Sequence, residues 1–126
     1  MKIKIKADLH THTIASGHAY STVDELAKSA GEKSLKLIAI TNHGPKMPGG
    51  PHQFHFGNMR IIPDELYGVR IISGIEANIM NDGSIDLPEE RLERLDFVAA
   101  GIHSDAGYDL NNKEDNTRVI IKDIKN

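Results

Sequence analysis

Asp8, His10 and His12 alternate along Ala-Asp-Leu-His-Thr-His-Thr, residues 7 to 13. Residues two apart on a strand point to one side, so these groups would meet at one strand end. Carboxylate and imidazole brought together in this way are metal-ligand chemistry; the plain alternative is a solvated polar strand end. His18 follows across the Ser16-Gly17 turn and can fold back toward the same place. Three further donors close later apolar runs: His43 after Leu37 to Thr41, Glu76 after Val69 to Ile75, and His103 after Phe97 to Ile102. The chain holds 7 histidines and no cysteine, so any metal must be held by imidazole and carboxylate, and disulfides are excluded.

Several elements must position these groups. Ile3 and Ile5 alternate with Lys2, Lys4 and Lys6, predicting a strand that runs into Asp8, its lysines forming a solvated face or guarding an edge. Thr22 and Glu25 have capping-box spacing, and Val23, Leu26, Ala27 and Ala30 follow at helical period, so a helix starts there and stops at Gly31 or runs on to Ser34. Leu37 to Thr41 reads as a buried parallel strand. Residues 44 to 60 read as a long polar loop that holds Pro45, Pro48, Pro51, His52, His55 and Arg60, with Phe54 and Phe56 giving it a buried side. A short helix is expected over Ile62 to Tyr67 with Pro63 near its start, then a strand over 69 to 76. Asp82-Gly83 centres a tight turn, with Asp82 and Asp86 both as turn residues. A helix over 89 to 95, a strand over 97 to 102, a polar link over 111 to 115 and a helix over 117 to 124 complete the order. Val119, Ile120 and Ile124 share one side of that last helix.

The resulting β-α alternation implies a parallel sheet with right-handed crossovers. Every strand then ends in a candidate ligand. Chemistry sits at C-terminal strand ends both in β/α barrels and in open doubly wound sheets. No Gly-rich phosphate fingerprint follows the first strand, which disfavours a nucleotide fold. With 126 residues the chain is expected to form one domain over 1 to 126. Its 15 basic and 18 acidic side chains give a net charge of -3, and no basic block offers an electrostatic footprint for nucleic acid. No apolar run reaches the length of a leader core or a membrane span, so a cytoplasmic location is expected.

Taken together, Asp8-Leu9-His10-Thr11-His12-Thr13, Thr41-Asn42-His43-Gly44, Gly74-Ile75-Glu76-Ala77-Asn78 and Ala100-Gly101-Ile102-His103 resemble successive motifs of the PHP (polymerase and histidinol phosphatase) superfamily. His18-Ala19-Tyr20-Ser21-Thr22 and Pro51-His52-Gln53-Phe54-His55-Phe56 extend the likeness to its bacterial stand-alone phosphatase branch. The resemblance implies an α/β fold, the N-terminal half (about four βα units) of a distorted seven-stranded β/α barrel. It implies up to three divalent ions, zinc first, with manganese or iron as alternatives. His10, His12 and Glu76 resemble ligands of a first ion. Glu76 resembles the bridge to a second, shared with His103, and would help hold the attacking hydroxide between them. His18 and His43 resemble ligands of a third.

The departures carry weight too. The family supplies further ligands, a His on the next strand and an Asp-x-His pair near the last, and this chain stops before both; it therefore looks truncated, and each ion would lack one protein ligand. Asn42 stands where the family commonly has Asp, which weakens a hydrogen-bond acceptor behind the ligands. Asp8 either partners a ligand His or merely caps the strand. His52, His55 and Arg60 are candidates for binding substrate, Arg60 as a phosphate clamp, against the plainer reading of solvated or packed loop residues.

Two functions are therefore carried forward. One is a metal-dependent hydrolase of small phosphoesters, impaired by its missing ligands. The other is a catalytically inactive metal-binding or assembly fragment. A barrel of this kind takes roughly 200 residues or more, so four strands would leave open edges and an uncovered interior. The strands carrying Ile38, Ile40, Ile71, Ile75, Val98 and Ile102 would then expose apolar surface, and a homodimer or higher oligomer is expected to cover it.

Overall fold

The computed structural model describes residues 3 to 111 and 113 to 124, and of Asp123 the backbone alone. Five strands and four helices follow in order: β1 (Ala7–Thr11), α1 (Val23–Glu32), β2 (Leu37–Ile40), α2 (Phe54–Asn58), β3 (Glu65–Leu66), β4 (Val69–Asn78), α3 (Glu89–Leu92), β5 (Phe97–Gly101) and α4 (Lys113–Ile124). The sheet is α/β in type, running β1-β2-β4 with parallel pairing, and β5 continues it in parallel beyond β4. It is a curled half-barrel consistent with part of a β/α barrel.

β4 organises the sheet. Arg70 pairs with Leu37 on one edge and Glu65 on the other; Glu76 likewise bridges His43 and pairs with Ala99. The short antiparallel β3 therefore occupies the first part of the edge that β5 takes over. Alternation along β4 sends Val69, Ile71, Ile75 and Ala77 to the helix layer, where they are buried with Ile38, Ile40, Ala27, Ala30, Phe56 and Met59. Glu76 and its same-parity neighbours face the other side. Thr22 caps α1 with the full reciprocal box: Thr22 Oγ1 accepts from the Glu25 backbone N–H, and Glu25 Oε2 accepts from Thr22 N–H at 2.7 Å. A smaller cluster of Ile79, Tyr108 and Val119 seats α4 behind the turn that follows β4.

Several expectations change. Ile3 and Ile5 are in no strand and are 87% and 70% exposed; β2 begins at Leu37 opposite Ala7, and before it only the Lys6 carbonyl among the described residues is met, by the Lys36 N–H at 2.7 Å. Lys2 lies outside the described residues. No helix spans Ile62 to Tyr67: Glu65 and Leu66 form β3, because pairing with Val69 and Arg70 satisfies their backbone better than one isolated turn would. α1 runs through Gly31 to Glu32, and the positive φ falls on Ser34 instead. The loop over 44 to 60 contains α2, which buries Phe56 and leaves Phe54 exposed. α4 starts earlier than expected and buries Val119, whereas Ile120 and Ile124 are exposed.

The barrel-interior side also differs. Ile38, Ile40, Ile71 and Ile75 are buried under the helices and need no partner. The uncovered apolar surface is a groove of ≈ 570 Å³ lined by Ile5, Ala7 and Leu9 on the β1 side, Leu35, and Phe97 and Ala99 on β5. Val98, paired with Ile75, is exposed on the other face.

Candidate metal centre

β1, β2, β4 and β5 deliver their C-terminal ends to one place. Glu76 Oε2 lies 3.1 Å from His10 Nε2, 3.1 Å from His12 Nε2 and 3.0 Å from His43 Nδ1, and Glu76 Oε1 lies 3.3 Å from His103 Nε2. His18 stacks beside them, its ring centroid 5.0 Å from that of His12 and 4.8 Å from that of His43. Four imidazoles thus surround one carboxylate with a fifth packed against two of them, and only His10 among those facing Glu76 is half-exposed. His18 is brought back by Gly17, at φ +73°, where a Cβ would meet the Gly49 carbonyl oxygen at 2.7 Å. That close approach between two loops requires glycine.

Asp8 does not join the cluster. The register shifts between Asp8 and Thr11, so Asp8 pairs with Ile38 and Thr11 with Ile40, both helix-side residues. This bulge flips the alternation and separates Asp8 from His10 and His12. Its carboxylate accepts the His10 backbone N–H at 3.1 Å, which is strand capping.

The hydrogen bonds behind the rings settle which nitrogen each offers. The Thr13 backbone N–H donates to Asn42 Oδ1 at 2.8 Å, fixing the amide orientation of this fully buried Asn. Ser16 Oγ also donates to Asn42 Oδ1, at 3.0 Å, so its only hydrogen is used. His12 Nδ1, 3.0 Å from Ser16 Oγ, must therefore be the donor there, and its Nε2 carries a lone pair. The same logic applies on β5. Asn78 Nδ2 donates to Asp86 Oδ2 at 2.6 Å, so Asn78 Oδ1 accepts from His103 Nδ1 at 2.8 Å and Nε2 is the ring nitrogen turned toward Glu76. His18 Nδ1 faces the Ser16 carbonyl at 3.1 Å and must donate to it, so Nε2 is the ring nitrogen it can offer.

The lone pair of the neutral His12 ring and the Nε2 edge of His103 thus face an anionic carboxylate. The buried His43 Nδ1, although 3.0 Å from Glu76, has no hydrogen-bond geometry to it or to any other described group. Positive charge among these groups relieves the repulsion between lone pair and carboxylate, a proton shared by His10 Nε2 with His12 Nε2 at 3.0 Å being one source, and the imidazole and carboxylate donors also fit a metal. Three overlapping sets have donor atoms within 4.8 Å of one another: His10, His12 and Glu76; His43, Glu76 and His103; and His12, His18 and His43.

Protonation agrees with this. Burial, then the neighbouring His43, pushes His12 down from 6.5 to about 4, against the pull of Glu76. His43 is also lowered, first by burial. Burial raises the Glu76 carboxyl, but the His10 hydrogen bond and the nearby imidazoles outweigh it and hold the group below its usual range. Neutral imidazoles and an ionised carboxylate are the states in which these groups ligate metals.

Ser16, Asn78 and Asp86 did not stand out in the sequence. Asp86 is more than a turn residue: it accepts from the Asn78 and Lys46 backbones at 2.8 and 2.9 Å while gripping the Asn78 side chain. The available signal was Asn78, two residues beyond Glu76 on the same strand face. Among the other candidates, His55 Nε2 lies 3.0 Å from Asn42 Nδ2, behind the cluster. His52 is exposed and accepts the Phe54 N–H at 3.2 Å. Arg60 lines a separate groove with Arg91 and Arg94.

The PHP domain family profile matches residues 8–124. A protein of Caldanaerobacter subterraneus subsp. tengcongensis named a probable phosphatase is 52% identical over 127 residues, covering 100% of this chain and 50% of its own. One of Acetivibrio thermocellus with the same description is 53% identical over 125 residues, covering 98% and 52%. One of Aliivibrio fischeri is 52% identical over 102 residues, covering 80% and 41%. The chain spans about half the length of the first two of these relatives. With the family profile matched over nearly the whole chain and the strand-end cluster in place, the chain belongs to the PHP domain family.

Proposed function

We propose that this chain carries the metal centre of a hydrolase acting on small phosphoesters. The observation that carries the proposal is the convergence of His12 Nε2 and His103 Nε2 on the Glu76 carboxylate at 3.1 and 3.3 Å, the Nδ1 atoms of both rings being turned away to Ser16 and Asn78. His10, His12 and Glu76 would hold a first ion, Glu76 and His103 with His43 a second, and His18 would turn the remaining set toward a third. Zinc suits a nitrogen and oxygen donor set without thiolate, and manganese or iron suits it also. When bound, such ions lower the pKa of a water to near neutral and offset the charge that develops on phosphoryl oxygens. The chain's own part is to hold geometry. Ser16 and Asn42 hold the Nδ1 edge of His12, Asn78 and Asp86 hold that of His103, and Glu76 presents Oε2 to His10, His12 and His43 and Oε1 to His103. The relatives named probable phosphatases support the same reaction class.

A second reading, metal binding without turnover, is favoured by one observation. His12 belongs to two of the three donor sets, yet its Nδ1 is held by Ser16 and it has one nitrogen to give. The three sets cannot all be completed from these residues. Hydrolysis by the chain as given is therefore proposed to be slow, well below the ordinary enzymatic scale of about 10 per second. The apolar groove between β1 and β5 supports a homodimer that covers it, and a cytoplasmic location completes the proposal; no helix among the described residues is long and apolar enough to cross a membrane. The test is hydrolysis of an aryl phosphate with zinc, manganese or iron added. Metal-dependent release that H103A removes supports the hydrolase. Full metal binding with no release under any of the three ions supports the inactive reading.

A further inference from the structure

Behind the strand-end cluster, α2 and α3 flank an open groove of ≈ 500 Å³ lined by Phe54, His55, Asn58, Arg60, Arg91 and Arg94. No carboxylate among the described residues lies within ion-pair distance of Arg60, Arg91 or Arg94, although the chain is net acidic. Arg91 stacks its guanidinium 5.6 Å from the centre of the Phe54 ring, and its Nε is buried with no hydrogen-bond partner. Gly57 leaves the space this guanidinium fills, since a Cβ there would stand 3.0 Å from one of its nitrogens.

A buried guanidinium donor without an acceptor is costly, and three like charges around one cavity repel. An anion between the guanidinium groups offsets the repulsion and gives the terminal nitrogens of the Arg91 fork an acceptor. We propose that this groove is a binding site for a phosphoryl group, distinct from the metal centre. Guanidinium forks match the oxygens of phosphate and of carboxylate, but three unneutralised cations favour the more highly charged phosphoryl dianion. The exposed Phe54 ring supplies an apolar flank, and the cavity has room for an organic remainder. The phosphoryl group can therefore be free phosphate or part of a phosphorylated small molecule. None of the lining residues belongs to the three metal-donor sets, so this inference does not depend on hydrolysis.

The test uses the full chain stripped of metal by chelator, titrated with inorganic phosphate, glycerol 2-phosphate or acetate, with thermal midpoint and phosphorus NMR linewidth as readouts. Saturable binding of either phosphate compound, weakened about tenfold or more in R91Q/R94Q, is the expected result; loss of even one charge-assisted pair has that effect. Tighter binding of glycerol 2-phosphate than of inorganic phosphate assigns the site to a phosphorylated small molecule, and the reverse assigns it to the free ion. R118Q, which removes a guanidinium already paired with Asp115, should bind like the parent. Should the double variant fail to fold, R60Q at an exposed position serves instead. Equal binding of phosphate by the parent and the Arg variants, no saturable binding by the stripped parent, or acetate binding as tightly as phosphate would overturn the proposal.

Discussion

At the scale of single residues, the centre depends on which hydrogen each ring nitrogen lacks. Asn78→Ala would free the His103 Nδ1 proton from its acceptor while leaving every proposed ligand in place. Losses of this kind typically cost about 10 to 100-fold in metal affinity, and we expect a drop in that range by competition with a chromophoric chelator. Protons compete for the same nitrogens. His12 is lowered to about 4 in the fold against 6.5 when unfolded, so between those values the unfolded chain binds more protons. The thermal midpoint of chelator-stripped protein is therefore expected to be unaffected by this group above about 6.5 and to fall as pH drops toward about 4. A midpoint that rises on acidification through that window would contradict the buried neutral imidazole. The residues that converge on Glu76 were legible, because imidazoles and a carboxylate that close four separate apolar runs contribute little to packing and much to a shared site. Their partners Ser16, Asn78 and Asp86 were not, since common polar residues acquire meaning only when distant segments meet.

At the scale of elements, loops after different strands lock one another. Gly44, after β2, lies against the Asp86 carboxylate so closely that a Cβ would collide with it, and Asp86 in turn holds Asn78 and, through it, His103. Gly44→Ala should destabilise the fold by about 1–3 kcal/mol and weaken metal binding together. Thr22→Ala should cost about 1 kcal/mol by loss of the α1 cap with metal binding unchanged. Parallel effects of the two variants on metal would refute the loop coupling. The capping box was readable because its bonds are local. The bulge that removes Asp8 from the cluster was not, because a one-residue irregularity in pairing leaves no mark on a period-2 pattern. Residues 62 to 67 misled for a related reason: their strand pairing with β4 is decided by tertiary contact.

At the scale of the molecule, one face of the sheet is well covered and the other is not. Helix-side isoleucines are buried, whereas Leu9 is 44% exposed beside the β1–β5 groove. Burying each such side chain is worth about 1.5–3 kcal/mol. The outer edges of β1 and β5 carry no ladder partner among the described residues, and open edges of this kind invite pairing. We expect light scattering at micromolar concentration to give a dimer or larger mass, and Leu9→Glu to shift it toward monomer. A stable parent monomer would refute that assembly. A parallel β/α sheet followed from the order of apolar runs and its half-barrel form from the family resemblance, while the location of the uncovered surface required knowing that α1 and α2 cover the isoleucines. Elemental analysis of protein purified without chelator tests the central claim most directly. At least one equivalent of divalent metal per chain is predicted, with Glu76→Ala losing more than any single His change because its two oxygens serve two sets. Metal well below one equivalent in the parent, or full retention in Glu76→Ala, would contradict it.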